Sequence, residues 1–98
     1  MGSQREDGPR RHEVAAELHV LRGTVLQRMG YHQHAADAYR AALRAQAGTP
    51  QAWLGLGISL EALQKRPEAA QAFRNALVSG PVSPEVRTFA EQRIQALR

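Results

Sequence analysis

The sequence predicts an all-α fold in which two helical hairpins stack and a fifth helix closes the stack. The first observation is a repeat: the apolar and small residues of Gln51–Pro81 recur one period upstream and, in part, one period downstream. The period is about 34 residues, which is typical of helix–turn–helix repeats. The second is that Gly and Pro divide the chain into segments whose apolar residues lie three and four apart, the spacing of one helix face. The predicted fold class is therefore an α-solenoid of two repeats plus a C-terminal capping helix.

Small residues mark the hairpins within this repeat. Gly57 and Ala69 are expected to face each other across the second hairpin, where they would let two helix backbones approach closely. One hairpin cannot bury its apolar face alone, so neighbouring hairpins are expected to stack. The corresponding residues one period upstream are Gly23 for Gly57, Leu26 for Leu60, Ala35 for Ala69, Tyr39 for Phe73 and Ala42 for Ala76.

The repeats are expected to form one domain over residues 13–98. Its units are predicted at about 16–49 and 50–83, with the capping helix at 84–98. Residues 1–12 carry no periodic apolar residues, which predicts a disordered lead-in. Met1–Ser3 of that lead-in could be a remnant of a tag.

The first hairpin is predicted to consist of helices at about 13–29 and 33–46. Gly30 and Tyr31 end the first of them. Its apolar residues fall at spacings of three and four and form one stripe, namely Val14, Leu18, Leu21, Val25 and Met29. The inward residues of the second helix are predicted to be Ala35, Ala38, Tyr39, Ala42 and Leu43.

The second hairpin and the capping helix are predicted from residues that favour the beginning of a helix. Thr49 is a candidate N-cap with Pro50 at the first helical position, and Ser83 and Pro84 repeat that arrangement. The predicted helices are about 50–63, from Pro67 to about Ser79, and about 84–97. The inward residues of the last helix are predicted to be Val86, Phe89, Ala90, Ile94 and Leu97.

Composition excludes several classes of protein. The chain has no cysteine, which excludes disulfides and thiolate chemistry. It also has no apolar run near the roughly 20 residues that span a membrane. Its 98 residues with a formal charge of +4 and 43% hydrophobic content suit one small soluble domain. The default expectation for its location is the cytoplasm.

The sequence also predicts no enzyme, no cofactor and no metal. His32 and His34 are two residues apart and so do not face one another on a helix, and no further ligands are spaced for a metal. Ser59 and Ser79 have no histidine at a recognisable spacing for a hydrolase. Gly55 and Gly57 lie within a helix and lack the lysine of a phosphate-binding loop.

The pattern resembles the tetratricopeptide repeat over about residues 16–98, most closely in the central unit. The first unit departs from it, with His19, Arg22 and Ala47 where the central unit has Trp53, Leu56 and Pro81. An atypical terminal repeat is common at the end of a solenoid. The resemblance implies a right-handed superhelix whose concave face binds another protein.

In that family the first helix of each unit lines the concave face, which implies a partner-binding groove. Leu54 and Ile58 are apolar there, and could either form the groove floor or pack under the capping helix. A family subgroup holds C-terminal carboxylates with Lys and Asn, but the matching positions here lack both. The implied groove residues are Val20, Thr24, Gln27, Arg28, Gln51, Leu54, Ile58, Glu61, Glu85, Thr88 and Gln92.

The function predicted from these observations is a non-enzymatic module that binds a peptide or helix of another protein. One alternative is a binder of RNA or another polyanion through Arg40, Arg44 and Arg74 on the second helices, although a solvated outer face is the simpler interpretation. Another is a self-associating structural adaptor. For that contact the candidate end is the first helix, which carries Arg22 and Thr24.

A narrower resemblance concerns Trp53–Leu63 and Phe89–Arg98. These segments look like the C-terminal repeat region of bacterial mannose-sensitive-haemagglutinin pilus biogenesis proteins, which carry a membrane anchor that this chain lacks. The resemblance implies a bacterial fragment that serves type IV pilus assembly, in which case the location would be periplasmic.

Overall fold

Residues 2–98 fold into five α-helices that pack in sequential order. The computed structural model describes the backbone of residues 2–98 and the side chains of residues 11–98. Each helix packs on the next, and α1 also contacts α3. Within the described residues the structure contains no strand, which confirms the all-α prediction. The helices are α1 (Gly2–Arg28), α2 (His32–Ala45), α3 (Pro50–Ala62), α4 (Arg66–Val78) and α5 (Pro84–Ala96).

The helix boundaries follow the prediction except at the start of α1. That helix begins at Gly2 instead of near Glu13, so residues 2–12 are helical where a disordered lead-in was expected. Once the packed part of a helix has formed, each further residue adds one hydrogen bond without a new nucleation step. Met1, which was expected to belong to the lead-in, lies outside the described residues.

Both hairpins turn through the same backbone motif. Gly30 and Gln64, one period apart, adopt left-handed backbone angles with φ of +85° and +62°. In the first turn the Tyr31 amide donates to the Leu26 carbonyl, and in the second Lys65 donates to Leu60, both at 2.9 Å. This pairing is the helix-ending motif in which a left-handed residue follows the last turn. The repeat therefore includes the turns as well as the helices.

Two aromatic rings fill the core, and glycines make room for them. Tyr39 and Phe73 are almost fully buried on α2 and α4. A Cβ atom built on Gly57 would lie 2.9 Å from the Phe73 ring, and one on Gly23 would lie 2.9 Å from the Tyr39 ring. The atoms nearest to an added Cβ on Gly57 are therefore those of the Phe73 ring. Gly57 is small because an aromatic side chain of the next helix lies directly on its backbone.

The two predicted caps differ in the structure. Ser83 is a true cap, because its hydroxyl accepts a hydrogen bond from the Val86 amide at 3.2 Å. Thr49 occupies the cap position of α3, but its hydroxyl donates to the Gln46 carbonyl at 2.7 Å instead. Thr49 therefore holds the loop before the helix and leaves the first amides of α3 without a side-chain acceptor.

The apolar stripe of α1 lies at the surface. An amphipathic helix normally turns such a stripe toward the core. Here Ala16 and Gly23 on the opposite side are buried, and Val20 and Leu26 pack partly against the core. Small residues on that side allow α1 to approach the Tyr39 ring, which the large side chains of the stripe would prevent. The exposed residues are Val14, Leu18, Leu21, Val25 and Met29.

The last helix closes the stack, as predicted. Ala90 and Leu97 are buried, while Phe89 is 39% exposed and meets the Phe73 ring edge-on with centroids 6.0 Å apart. The guanidinium of Arg66 donates to the Ala96 carbonyl at 3.1 Å, which ties the end of α5 to the start of α4. Among the described helices, none combines the length and the hydropathy that a membrane span requires.

Candidate interaction groove

Two hollows lie along the first helices of the repeats. The larger, of about 380 Å³, is bounded by α1, by the loop that follows α2 and by the start of α3. The smaller, of about 220 Å³, is bounded by α3, by the loop that follows α4 and by the start of α5. The larger hollow is lined by Ala16, Glu17, Val20, Leu21, Thr24, Gln46, Thr49 and Gln51. The smaller is lined by Pro50, Gln51, Leu54, Pro81, Val82, Ser83 and Val86.

The second hollow is the first one repeated one period later along the chain. Gln51 lines both, so the two hollows adjoin along one side of the molecule. A third surface continues the row on α5, formed by Pro84, Glu85, Thr88, Phe89 and Gln92. We call these three surfaces together the groove. The matching residues of its first two hollows are Ala16 with Pro50, Glu17 with Gln51, Val20 with Leu54, and Thr49 with Ser83.

Most of the predicted groove residues lie on these surfaces. Leu54 is half-buried and packs partly against the core, so it forms the floor of a hollow and also supports the fold. Ile58 is half-buried and packs against the core, but it lines none of the three surfaces. Arg28 is exposed at the end of α1, also outside them. The predicted residues that line the groove are Val20, Thr24, Gln51, Leu54, Glu85, Thr88 and Gln92.

Gln27 and Glu61, both predicted for the groove, are engaged in contacts between helices instead. The Gln27 amide donates to the Gly55 carbonyl and to the Ser59 hydroxyl, both at 2.9 Å. Glu61 accepts hydrogen bonds from the Arg93 guanidinium on α5, one of them at 3.0 Å. These side chains hold successive repeats together, which leaves them less available to a partner.

Thr24 links the groove to the core. Its hydroxyl lies 3.1 Å from the Tyr39 hydroxyl and donates to the Val20 carbonyl at 2.9 Å. The Tyr39 ring in turn lies against the backbone of Gly55 on α3. The wall of the larger hollow is therefore fixed by the same aromatic side chain that joins the two hairpins.

The rim of the groove is acidic although the whole chain is basic. Glu17 lines the larger hollow, and Glu13 and Glu17 line a shallow extension of it beside Gly48 and Pro50. Glu85 lies on the third surface. The formal charge of the chain is +4. The groove thus differs in sign from the protein as a whole, which favours a partner with positive charge.

The arginines proposed as a polyanion site lie elsewhere. Arg40 lies 3.5 Å from the Asp37 carboxylate on α2, and Arg74 donates to the Gln71 side chain on α4 at 3.1 Å. Arg44 is exposed at the end of α2. None of the three lines the groove, and binding of a polyanion stays a prediction. Among the described side chains, no group of three or more His, Asp or Glu residues could hold a metal ion.

Sequence reasoning missed Glu17 and Ser59. Glu17 stands one period before Gln51, which was predicted for the groove, so the repeat itself could have identified it. Ser59 is fully buried as the acceptor for Gln27. A serine within a helix carries no signal of such a partner, because the partner is 32 residues away in the chain.

The fold and the groove together define a helical-repeat solenoid. A family model described as tetratricopeptide repeat matches residues 20–84, which cover most of the two hairpins. The chain belongs to the tetratricopeptide repeat family. Members of this family generally serve as scaffolds for protein–protein interaction. A comparison with curated proteins found no match.

Proposed function

We propose that this chain is a non-enzymatic interaction module that holds a peptide or helix of another protein in its groove. The observation that carries the proposal is the pair of adjoining hollows that share Gln51 and repeat at the same register. A repeated surface suits a ligand that is itself linear, since each hollow can take one side chain. Recognition of a helix or an extended segment in an apolar groove is a recurrent mode of peptide binding.

The lining of the hollows supports an apolar anchor on the partner. Val20 and Leu54 are the matching floor residues of the two hollows, and Leu21 and Val86 add further apolar surface. Polar side chains such as Thr24 and Gln51 lie beside them. Mostly apolar pockets with a few polar groups are typical of binding sites, because the apolar part supplies affinity and the polar part sets orientation.

The charge of the rim supports a basic residue next to that anchor. Glu13 and Glu17 flank the larger hollow, and Glu85 flanks the α5 surface. A Lys or Arg of the partner would pair with these carboxylates at the edge of the groove. Rim charges of this kind act mainly on the association rate and on specificity. Association is therefore expected to slow as the salt concentration rises.

A displayed library of random peptides, selected on the purified chain, tests the proposal. The expected selection is for peptides with a large apolar residue followed or preceded by Lys or Arg. Gln51→Arg places a cation at the junction of the two hollows and should remove binding. Gln95→Arg is the matched control, because Gln95 is also an exposed helical glutamine but lies outside the groove. Equal loss of peptide binding in both variants would contradict the proposal. So would an NMR titration in which the peptide shifts only backbone amide signals of α2 and α4.

Leu54 allows the two interpretations of the groove floor to be separated. Leu54→Arg should abolish binding of a selected peptide, while circular dichroism should show unchanged helicity if the side chain serves the groove. Ile58 lies outside the hollows and packs against the core. Ile58→Glu should therefore lower the melting temperature, and any loss of binding should follow from the loss of fold. Unfolding of the Leu54 variant as well would assign both residues to packing.

We further propose that the partner belongs to a type IV pilus assembly machine. This proposal rests on the resemblance of Trp53–Leu63 and Phe89–Arg98 to pilus biogenesis proteins. A tagged copy expressed in a piliated bacterium should co-purify with pilus assembly proteins, and Gln51→Arg should abolish that co-purification while Gln95→Arg retains it. Co-purification that is indifferent to Gln51→Arg would separate the pilus role from the groove.

A further inference from the structure

We propose that the outer face of α1 pairs with the same face of a second copy of this chain, with the two helices parallel. We call this face the α1 stripe; it consists of Val14, Leu18, Leu21, Val25 and Met29, of which Leu21 also lines the larger hollow of the groove. Each of these side chains is 50–61% exposed. Single exposed apolar residues are ordinary on protein surfaces, whereas a contiguous row of large ones marks an interaction site.

On α3, the residues that match the α1 stripe pack against the preceding hairpin. These residues include Ala52, Gly55 and Ser59, all buried. Gly55 is small because the Tyr39 ring lies on it, and a Cβ atom there would come within 2.3 Å of the ring. On α1 the matching residue is Leu21, whose large side chain occupies the space that Gly55 leaves for the Tyr39 ring on α3. The α1 stripe is therefore unsuited to a hairpin that packs through an aromatic ring.

The spacing of the stripe suits a helix of the same kind. Val14, Leu18, Leu21 and Val25 are separated by four, three and four residues, the alternation of core positions in a two-stranded coiled coil. In a parallel pair each of these four residues meets its own copy, so the apolar patch is complementary to itself, and Arg11 and Arg28 at the next positions of the register bound it at its two ends. A self-complementary patch is what a two-fold dimer requires.

Charges beside the stripe select a second copy and the parallel orientation. In this register Glu17 and Arg22 occupy the two flanking positions that face each other between parallel helices, five residues apart in the sequence. Both side chains are exposed, and neither forms an ion pair within residues 11–98. In the pair, Glu17 of each copy would face Arg22 of the other. An antiparallel pair would place Glu17 and Arg22 on opposite edges and lose both contacts.

Sedimentation analysis over a dilution series tests whether the full chain forms this dimer. The wild-type chain should show a concentration-dependent mass, and Leu18→Glu should raise the dissociation constant about 100-fold because a carboxylate would be placed in the apolar contact. Val78→Glu is the matched control, since Val78 is 82% exposed on α4 and lies outside the stripe. Helicity should be unchanged in both variants. A wild-type chain that stays monomeric throughout would overturn the proposal.

The orientation is tested by charge exchange and by cross-linking. Glu17→Arg and Arg22→Glu should each weaken self-association, whereas an equimolar mixture of the two variants should form mixed dimers, because their flanking positions then carry opposite charges. The chain has no cysteine, so Leu18→Cys introduces a single thiol that should form a disulfide with its own copy under mild oxidation. Cross-linking only between Leu18→Cys and Leu21→Cys variants would overturn the parallel arrangement. These measurements need no groove ligand, so their failure is separate from failure of the proposed function.

Discussion

The side-chain amide of Gln27 lies 2.9 Å from the hydroxyl oxygen of Ser59 and joins the first helices of two successive repeats. The same connection recurs one period later, where Glu61 on α3 meets Arg93 on α5. The same pair of repeat positions therefore joins the first helix of each unit to the first helix of the next. Its chemistry changes from a neutral pair around a fully buried serine to an ion pair whose two side chains are about one-third exposed.

Gln27→Ala is expected to destabilise the chain by about 1–3 kcal/mol, because it would leave the buried hydroxyl of Ser59 without its donor and remove the side-chain hydrogen bond to the carbonyl of Gly55. An unpaired buried polar group carries a cost of that size. Urea unfolding of the single variants Gln27→Ala and Ser59→Ala and of the double variant measures the coupling. Strictly additive effects in that cycle would show that the hydrogen bond contributes nothing of its own.

Glu61→Gln is expected to cost less, about 0.2–1 kcal/mol at low salt. Both side chains of the Glu61–Arg93 pair are partly in water, where ions screen their attraction. The cost should shrink as sodium chloride is added, whereas the cost of Gln27→Ala should stay constant. A salt-independent loss for Glu61→Gln would instead indicate that its contribution is packing.

Gly55→Ala is expected to be the most destabilising of the glycine substitutions, at about 1–3 kcal/mol or more. The added methyl group would come within 2.3 Å of the Tyr39 ring, compared with 2.9 Å from the Phe73 ring at Gly57. Gly48→Ala is the control, because its new methyl group would have its nearest neighbour at 3.4 Å. Thermal unfolding should rank the variants as Gly55, then Gly57, then Gly48, and Tyr39→Leu should partly rescue Gly55→Ala. Equal melting temperatures would mean that the helices shift apart at little cost.

Gln64→Gly is expected to stabilise the chain by about 0.5–1 kcal/mol, because a left-handed backbone costs about 1–2 kcal/mol for a residue with a Cβ atom. Gln64 holds such a backbone, with φ of +62°. Part of that gain is offset because glycine loses more backbone entropy on folding. The reverse change at the matching turn, Gly30→Gln, should destabilise by a similar amount, and chemical denaturation measures both. A loss of stability in Gln64→Gly would indicate that the glutamine side chain has contacts that outweigh the strain.

The sequence alone was sufficient for the repeat and for helices α2 to α5. The period placed α2 to α5 close to their observed bounds, since Pro50, Pro84 and the turn residues act locally on the backbone. Seven of the residues predicted for the groove line its three surfaces, because a repeated unit puts matching residues on the same side, and their role in binding a partner stays a prediction. The start of α1 was not predictable in this way, since residues 2–12 carry no apolar periodicity.

Only the tertiary structure decided which face of α1 is buried and which polar residues lie between repeats. The spacing of Leu18 and Leu21 identifies an apolar stripe but not its direction. Burial followed the side that carries Ala16 and Gly23, because Gly23 admits the Tyr39 ring. Gln27 was likewise drawn inward by Ser59, 32 residues away. Periodicity reports the composition of each helix face, whereas steric fit between helices selects the face that enters the core.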